Sequence, residues 1–129
     1  MSTHNRYGVF SSMLGRTMAE VLGGEGDREM IFRGEDGSSW RFYHEQDCCE
    51  SVTVEDITGD ISDLLGSPVT MAEEVSGECP AVSRADSYTW TFYKFGTAKG
   101  FVTVRWLGES NGYYSESVDF SERIMLPLP

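Results

Sequence analysis

Cysteine is scarce in this chain, and what there is cannot build a disulfide framework. Only Cys48, Cys49 and Cys79 occur; the number is odd, and joining the adjacent pair would close a small strained ring. Free thiols in a reducing compartment are the expectation. Long apolar runs are missing as well. No segment approaches the roughly 18 residues that a membrane-spanning helix requires, and the opening MSTHNRYGVF lacks the basic and then apolar parts of a secretory leader. These absences point to a soluble intracellular protein with no membrane partner. Repeats, low-complexity tracts and shifts of composition are absent too, so residues 1–129 read as a single domain. A chain of this length buries roughly two-thirds of the surface its unfolded form exposes, and needs neither disulfide nor metal to fold.

Positive charge is the third scarcity. Lys and Arg number 10 against 21 Asp and Glu, for a formal net charge of -11. Affinity for a phosphate backbone comes mainly from basic side chains displacing counterions, so the balance weighs against direct nucleic-acid binding. The deficit is also local. Between Glu45 and Glu78 there is no Lys or Arg, while carboxylates stand at 45, 47, 50, 55, 56, 60, 63, 73, 74 and 78. One region, rather than the whole surface, therefore projects a directional negative potential.

What is present reads as alternating apolar segments punctuated by glycine. After a loose start over residues 1–8, Phe10, Met13 and Leu14 suit one or two helical turns, and strands are expected over 17–22, 29–33 and 39–44. Asp36-Gly37 between the last two is the strongest hairpin signal, since a tight turn needs the positive φ that glycine adopts freely. Alternation places Trp40, Phe42 and His44 on one face of the third strand. A further strand starts at Val52 and Val54, followed by a short helix through Ile57, Ile61, Leu64 and Leu65, with Thr58 or Asp60 as its cap. Val69 to Val75 reads as an edge strand because of Glu73 and Glu74, and 77–87 as the longest loop. The last third predicts an antiparallel meander whose inward faces are Tyr88, Trp90 and Phe92, then Val102, Val104 and Trp106, then Tyr114, Val118 and Phe120. Residues 124–129 form an apolar strap. The class is α+β, predominantly an antiparallel sheet of about six or seven strands with one or two short helices, a half-barrel being a variant.

The stretch FYHEQDCCESVTV, residues 42–54, concentrates the only interior histidine, two cysteines and three carboxylates. His44, Asp47 and Cys48 are donor types that zinc accepts, but the cysteines lack the paired spacing of a structural zinc site, and the plain alternative is a buried hydrogen-bonded histidine beside packed thiols. A nucleophilic cysteine is opposed by Glu45, Asp47 and Glu50, which would raise the thiol pKa. No catalytic residue and no cofactor is assigned. The glycines at 23, 24 and 26 lack the Lys-Ser/Thr of a phosphate loop, and Asp56, Asp60 and Asp63 do not follow an EF-hand pattern. The segment GESNGYYSES, 108–117, has the composition of a binding surface, with Glu109, Asn111, Tyr113 and Tyr114 as candidates against the plain alternative of a meander turn. Glu116 falls among core-facing residues, which is costly unless Arg105 or another partner reaches it.

With FYHEQDCCESVTVEDITGDISDLLGSPVTMAEE and WTFYKFGTAKGFVTVRWLGESNGYYSESVDF on view, the chain resembles a widespread family of small proteins of tailed bacteriophages and prophages, known mainly as a domain of unknown function. The likeness covers roughly residues 14–121 and rests on the pairing of HEQDCCESV with RWLGESNGYYSESV. It implies a phage protein made in a bacterial cytoplasm and brings no catalytic residues.

Three functions are compatible with these residues. The first is a non-enzymatic phage accessory protein that binds and inhibits a basic host protein, such as a defence or nucleic-acid-handling factor, through Glu55, Asp56, Asp60 and Asp63, gaining on-rate from electrostatic steering. The second is a small-molecule or nucleotide binder that stacks its ligand on Trp40, Trp106, Tyr113 or Tyr114 and holds phosphate with Arg41 or Arg105. The third is a metal-binding protein or hydrolase centred on His44, Asp47 and Cys48. The oligomeric state is open.

Overall fold

The computed structural model describes residues 3–6, 10–77 and 87–125, the first four as backbone only. It contains β1 (Thr3–Arg6), a 3-10 turn (Phe10–Met13), β2 (Met18–Leu22), β3 (Met30–Gly34), β4 (Ser39–Tyr43), β5 (Ser51–Thr58), a second 3-10 turn (Ile61–Leu64), β6 (Met71–Gly77), β7 (Ser87–Thr97), β8 (Gly100–Ser110) and β9 (Asp119–Met125). The architecture is mainly antiparallel sheet, as the alternation predicts, and the short helices are single 3-10 turns. The strands divide into two sheets rather than one half-barrel, in the orders β1-β9-β4-β3-β2 and β5-β8-β7-β6. Among the described residues no helix is long and apolar enough to cross a membrane.

The Asp36-Gly37 turn forms where expected: Gly37 has φ 91° and the Gly34 amide donates to the Ser38 carbonyl at 2.7 Å. Alternation then works as a fold code. Trp40 and Phe42 of β4, with Met30 and Phe32 of β3, turn inward from the first sheet, and Val102, Val104 and Trp106 of β8 turn inward from the second. Aromatic rings join the layers. Phe10, on the first 3-10 turn, meets Phe42 at 5.7 Å and Tyr93 and Phe95 at 5.1 Å, all edge-on, the geometry that ring quadrupoles prefer.

Several expectations are corrected. The start of the chain is not wholly loose, because β1 pairs with β9 from Thr3↔Met125 to Arg6↔Glu122. On β7 the inward residues are Tyr93 and Phe95; Phe92 lies opposite Arg105 on the outer face. Both alternating sets of that strand are aromatic, so composition does not choose between them; the register with β8 does. The third meander strand does not exist as drawn. Residues 111–118 form an irregular crossing, and β9 joins the other sheet between β1 and β4. Ile124 and Met125 belong to β9, while residues 126–129 of the expected strap, and residues 78–86 of the expected loop, including Cys79, lie outside the described residues. The β6 edge position is as expected.

Candidate functional site

The residues after β4 are drawn into a closed turn by one side chain. Glu50, at the far end of the turn, is buried, and its carboxylate accepts from the amides of Asp47 at 3.0 Å and Cys48 at 2.9 Å and from the Gln46 amide nitrogen at 3.1 Å. It also faces His44 Nε2 at 2.7 Å, in a pair whose side chains are 3% and 0% exposed. The other ring nitrogen, Nδ1, faces the Ser117 carbonyl at 2.7 Å. A carbonyl accepts only, and so does an ionised carboxylate, so both imidazole nitrogens carry protons here. Burial opposes that charge on His44, but the Glu50 hydrogen bond, the Ser117 carbonyl and the charges of Glu50 and Asp119 outweigh it and raise the pKa. The His44 hydrogen bond, with the turn amides, holds Glu50 down at about 2. Asp119 completes the cluster at 3.9 Å from Nδ1 and accepts from the Glu45 amide at 2.7 Å.

His44 is therefore a clasp between the 45–50 turn and the 111–118 crossing. The His44 side chain is buried, one residue beyond the end of β4. The free-thiol expectation is corrected: Cys48 and Cys49 are joined in a disulfide. The two residues sit on a bend rather than in an extended strand, so they do not have the opposed directions that strand geometry would give them. For the metal alternative, His44, Asp47 and Cys48 do not converge as ligands. Both histidine nitrogens and the Cys48 sulfur are engaged, and among the described residues no group of three or more His, Cys, Asp or Glu is placed to hold an ion.

Glu116 is a further buried acid. It is not reached by Arg105, which instead lies 4.9 Å from the Trp90 ring centroid. Its partners are hydroxyls: Thr89 donates to Oε1 at 2.8 Å and Ser110 to Oε2 at 2.5 Å. Burial pushes its pKa up, but the hydroxyls of Ser110, Ser87 and Thr89 more than offset this and leave it below the usual value. Gly108 makes the approach possible, since a Cβ there would sit 2.3 Å from the Glu116 carbonyl oxygen. The polar face expected around Glu116 is thus a knot that ties the crossing onto the β7–β8 ladder.

The candidate binding residues are split between the ends of β8. Glu109 pairs in register with Ser51 and Tyr88, and beyond it Asn111 accepts from the Tyr113 amide while Tyr113, 82% exposed, packs edge-on against Tyr114 at 5.0 Å. At the other end, Asp63 lies against Gly100, about 30 Å away by the strand rise. Asp60 caps the second 3-10 turn by accepting from the Ser62 amide and hydroxyl, which lower its pKa. Between the ends, Glu55 is exposed at a bulge of β5 and Asp56 stands opposite Arg105. Trp40 and Trp106 are fully buried core residues, so they offer no stacking surface to a ligand.

One contribution to the acidic surface is not visible in the sequence. The β2–β3 turn reaches across and hydrogen-bonds β5 at Val54, with the Gly26 amide on the Val54 carbonyl at 2.8 Å and the Val54 amide on the Asp27 carbonyl at 2.9 Å. This sets exposed Glu25 and Asp27 beside Glu55 on the rim of an edge strand. The turn's glycines were legible; their destination was not. Residues 11–120 match the family described as Domain of unknown function (DUF7448). No curated protein matches the chain, and no solved structure does.

Proposed function

We propose that this chain, which belongs to the Domain of unknown function (DUF7448) family, is a non-enzymatic binding protein that engages a basic partner protein through the acidic rim of β5. The observation that carries the proposal is the joining of two acidic segments at one edge: backbone hydrogen bonds of Gly26 and Asp27 to Val54 bring the turn that carries Glu25 and Asp27 next to the stretch of β5 that carries Glu55 and Asp56. Edge strands present unpaired backbone groups, and charge at such an edge blunts pairing with other chains. Here Glu25, Asp27 and Glu55 outweigh the neighbouring positive charges, Arg28 in the turn and Arg105 opposite Asp56, and the negative excess steers a cationic surface and speeds encounter. Asp60 and Asp63 extend the same sign past the end of the strand.

The resemblance to phage-encoded proteins extends the proposal to an accessory protein that acts in the bacterial host cytoplasm, where it inhibits a basic host protein, a nucleic-acid-handling or defence factor, by occupying its cationic groove. The inert chemistry of Glu50 and Glu116 is consistent with this role, since these acids and His44 spend their hydrogen-bonding capacity inside the fold.

A double reversal, Glu25→Lys with Glu55→Lys, tests the rim without touching the Asp60 cap. Binding to a basic partner protein captured from bacterial lysate should weaken at least about tenfold and lose most of its salt dependence, while the fold, followed by circular dichroism, stays intact. Undiminished binding by the folded variant would refute the proposal.

A further inference from the structure

Most of the few basic residues of this acidic chain are far apart in sequence, yet strand register gathers three of them on the outer face of the first sheet. Arg33 of β3 lies opposite Ser39 of β4, and Ser39 lies opposite Arg123 of β9, so the three residues form one row across neighbouring strands. One step along, Ile31, Arg41 and Ser121 form the next row on the same face. The inward residues between these rows, Phe32, Trp40 and Glu122, are buried, which leaves Arg33, Arg41 and Arg123 exposed. Two shallow concavities of this face share Arg33, Ser39 and Arg123 in their walls.

We infer that this face is an anion-binding site for a small ligand carrying two linked phosphoryl groups. Arg33 and Arg123 flank Ser39 from either side, their Cα atoms about 10 Å apart by the spacing of strands, and Arg41 closes the triangle from below. Three guanidinium forks offer more donors than the two oxygens of one carboxylate can accept, whereas a diphosphate presents enough oxygens for all three and for the serine hydroxyls. Arg41 is held in place, its guanidinium 3.8 Å from the Tyr43 ring centroid and paired with Glu29 at the rim. Arg33 pairs with Glu20 across the edge at 3.5 Å. Both pairs are half exposed and exchange with solvent ions at little cost. Arg123 has no carboxylate partner among the described residues. A long polyanion is opposed by the net charge of -11, which a compact ligand on this one face largely escapes.

Calorimetric titration of the full chain with sodium pyrophosphate at low salt, combined with amide chemical shifts, tests the site. Binding should perturb the outer-face residues of β3, β4 and β9. Arg33→Gln and Arg123→Gln should each weaken it about tenfold or more, and Arg123→Lys less. Tighter binding of ADP than of pyrophosphate would identify a nucleotide as the source of the diphosphate; equal or weaker binding would identify the free anion. The inference is overturned if pyrophosphate does not bind at millimolar concentration, if the folded glutamine variants bind it unchanged, or if a single-stranded oligonucleotide binds this face more tightly than pyrophosphate.

Discussion

His44 and Glu50 set the pH behaviour of the fold. The His44 pKa is raised above 6.5, so its contribution is full below that value and is lost as pH rises through the folded-state pKa. Glu50 is lowered from 4.5 to about 2, so its contribution is full above 4.5 and is lost as pH falls toward 2. Stability to denaturant should therefore be greatest between about pH 4.5 and 6.5 and decline on both sides. In Glu50→Gln both declines should flatten, with lower stability throughout, because the turn amides and His44 lose their charged acceptor. Urea titrations across pH 3 to 9 would check this. Glu116 makes a different prediction. Removing its carboxylate in Glu116→Ala strands the hydroxyls of Thr89 and Ser110, and should cost about 1–3 kcal/mol, read from the denaturant midpoint. The burial of His44 was legible from its place after Trp40 and Phe42. The identity of its partner was not, since Glu50 returns through a turn that no periodicity describes, and Ser117 comes from the far end of the chain.

At the scale of elements, the decisive contacts are those where backbone meets backbone. Gly108 sits under the 111–118 crossing, and Gly108→Ala would drive a Cβ to 2.3 Å from the Glu116 carbonyl oxygen. The loss should reach about 1–3 kcal/mol from crowding. Gly15 is the contrast: its φ is +79°, and a methyl group there would have no neighbour within 4 Å, so Gly15→Ala should cost only the left-handed backbone, about 1–2 kcal/mol. Thermal melts of both variants, with Gly108→Ala also lowering hydrogen-exchange protection in residues 111–118, would separate the two causes. The same crossing explains why the last strand was misplaced in the sequence. Tyr114, Val118 and Phe120 look like a third meander strand, but Glu116 between them is tied to hydroxyls of β7 and β8, and only after that knot does the chain extend again as β9 in the other sheet. The two-sheet split was equally hidden, because hairpin signals specify neighbours and do not say where a sheet ends.

Over the whole molecule, charge is sorted by surface. The acidic rim of β5 and the arginine rows of the first sheet lie on different parts of the sandwich, and neither is contiguous in sequence; strand pairing assembles both. The acidity of residues 45–78 was plain from the chain itself, but the convergence of Glu25 and Asp27 on that segment needed the hydrogen bonds at Val54. Whether this rim is the binding surface is decided by capture of partners from host lysate by the wild-type protein and by the Glu25→Lys, Glu55→Lys variant, washed at low and high salt. A basic protein should be retained by the wild type at low salt, released at high salt and missing from the folded variant. A partner held equally by both proteins, at either salt concentration, would contradict the proposal.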